Sequence, residues 1–97
     1  MVVTPEARDQ LNAIYDYIAE AASSEIAQRF VSGILDRLAP LGDFPGIGSP
    51  RDDLRPGLRT LSFHRRVTIA FMVEASAVVV TGFFYGGRDL DTLLRDD

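Results

Sequence analysis

The stretch from Pro56 to Arg88 constrains this chain more than any other. It holds three segments rich in β-branched and aromatic residues, parted only by His64-Arg65-Arg66 and by Ala75-Ser76. Such residues favour pleated, half-buried backbone, and breaks this short allow only antiparallel pairing. The spacing predicts a three-stranded meander: Leu58 to Phe63, Arg66 to Glu74, and Ala77 to Tyr85. In the first strand Leu58, Thr60 and Ser62 take one face, and Arg59, Leu61 and Phe63 the other. In the second, Val67, Ile69, Phe71 and Val73 share a face. The third is apolar on both faces, which places it centrally, covered on each side. Gly86-Gly87 ends it, and Asp89 to Leu94 can form one or two helical turns.

A sheet this apolar needs a cover, and the first part of the chain supplies one. Thr4-Pro5-Glu6 is a helix start: Thr caps, Pro suits the first helical position, and Glu favours the positive end of the dipole. Ala7, Leu11, Ile14, Tyr15, Ile18 and Ala22 then recur at helical spacing. Tyr15 reads as a core residue and Tyr17 as an exposed one. Ala21-Ala22-Ser23-Ser24 breaks the pattern, and a serine there can cap a second helix with Glu25 in its first turn. Ile26, Ala27, Phe30, Val31, Ile34, Leu38 and Leu41 hold the second stripe, with Arg29 and Arg37 on the outer face. Gly33 in mid-helix costs roughly 1 kcal/mol relative to Ala, and close approach of the first helix would account for it. So short a break predicts an antiparallel helical hairpin. Pro40 to Pro56 is dense in Pro and Gly and reads as an ordered loop pinned by Phe44, Ile47 and Leu54. A short N-terminal strand at Met1-Val2-Val3 is the remaining option. The expected class is α+β: a helical hairpin packed on a C-terminal antiparallel sheet, one domain over residues 1–97.

Charge and composition exclude several functions. There are no cysteines, so disulfides, thiolate chemistry and thiolate metal sites are absent. With one histidine as well, no metal site and no cofactor is expected. All ten basic residues are arginine, so no lysine amine can serve as base or nucleophile. The net charge is −4 and the pI about 4.8, against the basic footprint of a nucleic-acid-binding protein; no sequence-specific nucleic-acid binding is expected. There is no apolar run of about 18 residues to span a membrane. Pro5, Glu6, Arg8 and Asp9 interrupt any signal-peptide core, so a cytoplasmic location is expected.

The order helix, helix, Pro/Gly loop, meander resembles the ParE/RelE superfamily of type II toxin–antitoxin toxins, and most of all its ParE branch. The resemblance covers nearly the whole chain. It is carried by Thr4-Pro5-Glu6-Ala7, Ile14-Tyr15-Asp16-Tyr17-Ile18, Phe44-Pro45-Gly46-Ile47-Gly48, Leu54-Arg55-Pro56-Gly57-Leu58-Arg59 and Gly86-Gly87-Arg88-Asp89. It implies a ParD-like antitoxin as partner and DNA gyrase as target, inhibited by binding rather than catalysis. The alternative it implies is a RelE-like endoribonuclease that cuts messenger RNA on the ribosome. That chemistry needs cations to hold phosphate, plus proton-transfer groups. The positions set against the RelE lysine pair hold Arg59 and Leu61, and the arginine early in the second strand is matched by Thr68. The later arginine is matched by Arg88, and the terminal tyrosine position falls near Leu94. Most of the constellation is missing.

The candidate partner-binding residues are Arg59, Phe83, Tyr85, Arg88, Leu90, Leu93 and Leu94. Arg59 can bind an acidic group on a partner or pair with Asp52 or Asp53. Arg88 is an interface anchor or a surface residue at a helix start. Among the consecutive rings Phe83, Phe84 and Tyr85, at least one must face away from its neighbours, into a partner or a covered sheet face. Phe84 is assigned to a covered face, and Phe83 and Tyr85 stay open. His64, beside Arg65 and Arg66, reads as a solvated turn residue, and Asp52-Asp53 and Asp96-Asp97 as solvated charge.

Overall fold

A computed structural model describes residues 1–75 and 77–86. The chain runs β1 (Val2–Val3), α1 (Pro5–Ala21), α2 (Ser24–Leu38), two short 3-10 turns (Ala39–Gly42 and Pro45–Ile47), β2 (Ser49–Pro50), β3 (Leu58–Phe63), β4 (Val67–Glu74) and β5 (Ala77–Tyr85). Both helices begin where capping chemistry places them. The Thr4 hydroxyl accepts from the Ala7 N–H at 3.1 Å, and the Ser23 hydroxyl from the Ile26 N–H at 3.1 Å. Each bond satisfies one of the donors that a helix start leaves open. The two helices pack together as a hairpin on one face of the sheet.

The sheet has five strands in the order β1-β5-β4-β3-β2. The meander is present, with β3–β4 and β4–β5 antiparallel. Three features differ from the sequence reading. The sheet is mixed, because β1 lies parallel to β5, with Val2 beside Val79 and Val3 beside Val80. Ser49–Pro50 adds a short strand on the far edge, pairing with Thr60 and Arg59. Proline is tolerated there because an edge strand can spare an N–H. With that strand in place, β4 and not β5 is central.

The core lies between the helices and the sheet. Ile14, Ile18, Ile34 and Leu38 meet Leu61, Val67, Ile69, Phe71, Val80 and Phe83. A smaller cluster of Leu54, Leu58 and Ala70, with Met72 and Phe84 against it, occupies the opposite face. The strict alternation of β4 divides these sets: Val67, Ile69 and Phe71 face the helices, Thr68, Ala70 and Met72 face away.

In β5 the alternation is interrupted. Ala70 pairs with Gly82 but Phe71 pairs with Val80, so Thr81 is the extra residue of a β-bulge. Its hydroxyl donates to the Ala70 carbonyl at 3.3 Å. The bulge resets the parity. Val78 and Val80 precede it on the helix face, and Phe83 and Tyr85 follow on that same face, so Phe84 turns to the other.

Three packing expectations are corrected. Phe63, not the first helix, approaches Gly33: a Cβ there would sit 2.7 Å from the Phe63 ring. Phe44 and Ile47 do not pin the loop, since both are exposed, Phe44 by 64%. The loop is held by buried Leu41 and Leu54, and by Gly48, where a Cβ would meet Phe71 at 2.7 Å and the Thr60 carbonyl at 2.8 Å. Ile26, on the expected apolar stripe, is 49% exposed because the sheet ends beneath the first turn of α2 at Phe63 and His64.

Candidate functional site

The sequence-derived candidates separate once placed. Arg59 on β3 shares a face with Leu61, toward the helices. Its guanidinium donates to the carbonyls of Gly46 and Gly48, tying the Pro/Gly loop to the sheet. It pairs with neither Asp52 nor Asp53: the Asp52 carboxylate accepts from the Gly57 N–H at 2.8 Å, and Asp53 holds Arg51 at 3.0 Å. The Arg59 Nε is buried without a hydrogen-bond partner among the described residues. Phe83 is 2% exposed and is a core residue, so its ring offers no free surface. Tyr85 is half-buried, its ring 5.6 Å from that of Tyr17 and 6.0 Å from that of Phe30. Arg88, Leu90, Leu93 and Leu94 lie outside the described residues.

The positions matched to the RelE constellation divide between the faces: Arg59 and Leu61 point toward the helices, and Thr68 lies on the sheet face turned away from them. Across its middle, β3 and β4 present Leu58, Thr60, Ser62, Thr68, Ala70 and Met72. These are methyls and neutral hydroxyls. Leu61, set against the RelE lysine pair, is buried on the other face, and Arg59 is occupied by carbonyls. Among the described residues the middle of the face turned away from the helices is uncharged, while Glu74 stands at its end and Arg55 and Glu6 border a hollow with Leu58, Thr81 and Phe84.

What the fold does build is an open apolar groove between α1 and β5. It encloses about 460 Å³ and is lined by Gln10, Ala13, Ile14, Tyr17, Phe83, Phe84, Tyr85 and Gly86. It exists because β1 is only two residues long and, among the described residues, leaves the edge of β5 after Val80 without a neighbouring strand. Helix α1 guards that edge: the Phe83 N–H donates to the Gln10 Oε1 at 2.9 Å. Tyr17, 60% exposed, forms the outer wall. The opposite side of the sheet is guarded in the same way, with the Arg37 Nε donating to the Ser62 carbonyl at 3.3 Å. Gln10 was not singled out by the sequence; a polar residue at the helix-sheet seam is the one signal that marked it.

The family model for the ParE toxin of type II toxin–antitoxin systems, parDE, matches residues 1–90. The chain belongs to the ParE toxin family. Among solved structures, a chain of the chromosomal ParDE toxin–antitoxin system from P. aeruginosa is similar at 27% identity, with a TM-score of 0.76. The match covers 88% of this chain and 95% of that one. No curated protein matches the chain. The ParE resemblance read from the residues therefore stands, as does the α+β architecture, and an antitoxin partner is implied. Among the described residues no helix is long and apolar enough to cross a membrane.

Proposed function

We propose that this protein is a ParE-type toxin, one domain over residues 1–97, that acts in the cytoplasm by binding DNA gyrase and is neutralised by a ParD-like antitoxin. The observation that carries the binding reading is the state of the two positions matched to the RelE lysine pair. Where a RelE-like nuclease needs cations free to hold phosphate, Leu61 is a buried aliphatic and the Arg59 guanidinium is tied to the Gly46 and Gly48 carbonyls. The α1–β5 groove supports the same reading. An apolar cleft beside an incompletely paired strand suits an antitoxin segment that lays apolar side chains along it.

Induction without antitoxin tests this. The expected result is stalled replication and a DNA-damage response with intact messenger RNA. Cleaved messenger RNA without DNA damage would replace this reading by the endoribonuclease one.

A further inference from the structure

The turn between β3 and β4 breaks a rule of hairpin chemistry. The Phe63 carbonyl accepts from the Arg66 N–H at 3.0 Å, and both central residues have positive φ, His64 at 51° and Arg65 at 58°. That pair of signs is the mark of a type I′ turn, which favours Asn-Gly because side chains with a Cβ disfavour this region. A His-Arg pair here costs stability that Asn-Gly would not. Such outliers concentrate where a side chain is needed for contact.

The surroundings say what kind of contact. Beside the turn, Ile26, Arg29, Phe30, Gly33, Phe63 and His64 line an open groove of about 330 Å³. Its floor is the Phe63 ring, seated where Gly33 leaves room. The His64 ring packs on Phe63 with centroids 4.2 Å apart. Exposed Arg65 and Arg66 edge a further hollow with Tyr85 and Gly86. Among the described residues the one ion pair at this end joins Arg29 to Glu25, and both of those side chains are largely exposed. The result is an apolar groove next to a turn that carries two exposed arginines, on a chain whose net charge is −4. A bare phosphate chain would need the cations but not the Ile26–Phe30–Phe63 groove. A peptide with apolar anchors and flanking carboxylates uses both, and arginine forks suit carboxylates.

We infer that the β3–β4 turn and the first turns of α2 form a docking site for an acidic amphipathic segment of the antitoxin. The inference rests on the antitoxin reading above. The Ile26–Phe30–Phe63 groove takes the segment's apolar residues, and Arg65 and Arg66 take its carboxylates.

The test is the affinity of the full-length toxin for its antitoxin, by titration calorimetry at about 0.15 M salt. Reversing both charges with Arg65→Glu and Arg66→Glu is expected to weaken binding about 100-fold, and Ile26→Glu about 10-fold or more. Arg65→Gly separates contact from folding. Glycine relieves the positive φ, so the thermal midpoint should rise while affinity falls several-fold. Variants that bind within about twofold of a wild-type toxin that does bind would overturn this inference and leave the antitoxin reading intact. A folded wild-type toxin that does not bind the antitoxin would overturn both. Binding of mixed-sequence single-stranded RNA that the same substitutions abolish, with antitoxin affinity unchanged, would assign the arginines to nucleic acid instead.

Discussion

The two faces of the sheet are built for different purposes. Toward the helices, Phe71, Ile69, Val67 and Val80 are fully enclosed with Ile34, Leu38 and Leu41. On the other face a short loop brings Leu54 over Leu58 and Ala70, and Thr60, Thr68 and Phe84 remain only partly covered. The first face holds the fold together. The second carries only a smaller buried cluster and, among the described residues, no charge across the middle of β3 and β4. Function is therefore to be sought where the two-faced sheet stops: at the part of the β5 edge that no described strand covers and at the arginine-bearing turn.

Adjacent residues of the same type expose this contrast most sharply. Phe83 and Phe84 are neighbours on opposite faces. Phe83→Ala should cost about 3–5 kcal/mol in urea unfolding, and Phe84→Ala about half as much or less. Equal costs would break the comparison. Next in size is Arg59→Ala, expected to cost about 1.5–3 kcal/mol, because a charged donor to the Gly46 and Gly48 carbonyls is lost. Arg59→Lys should recover only part of this, since an ammonium lacks the fork. If Arg59→Ala instead left stability unchanged and removed antitoxin binding, Arg59 would return to the interface. Thr81→Val removes the hydroxyl bond to the Ala70 carbonyl and should cost about 0.5–1.5 kcal/mol. Smallest of all, Thr60→Val with Thr68→Val should leave growth inhibition in cells unchanged. Loss of toxicity in a folded double variant would give the outer face a function.

The helices were legible from Thr4-Pro5-Glu6 and the Ser23-Ser24 pair, of which Ser23 is the cap, because caps are local: one hydroxyl and an N–H three residues on decide them. The meander was legible because its breaks leave no other pairing. The bulge at Thr81 was not. Gly82, a glycine inside a strand, is a sign of a bulge nearby but does not fix its position, and the choice is made across strands by Ala70 and Phe71. For that reason the aromatic run could be counted but not oriented, and Phe83 stood among candidate contacts although it belongs to the core. Phe44 and Ile47 misled for a related reason. Apolar residues in a loop suggest anchoring, but here glycine packing at Gly48 and the Arg59 carbonyl bonds hold the loop. The His64-Arg65 turn was equally hidden: histidine tolerates positive φ better than most residues, but arginine does not, and the pair lacks the Asn-Gly signature of a type I′ turn.

The most direct measurement of the central claim, that this toxin works by binding, is supercoiling by purified DNA gyrase with the toxin added alone and then with its antitoxin. Inhibition that the antitoxin relieves is the expected result. Full supercoiling activity in the presence of folded toxin, together with messenger RNA cleavage in a translating extract, would contradict it.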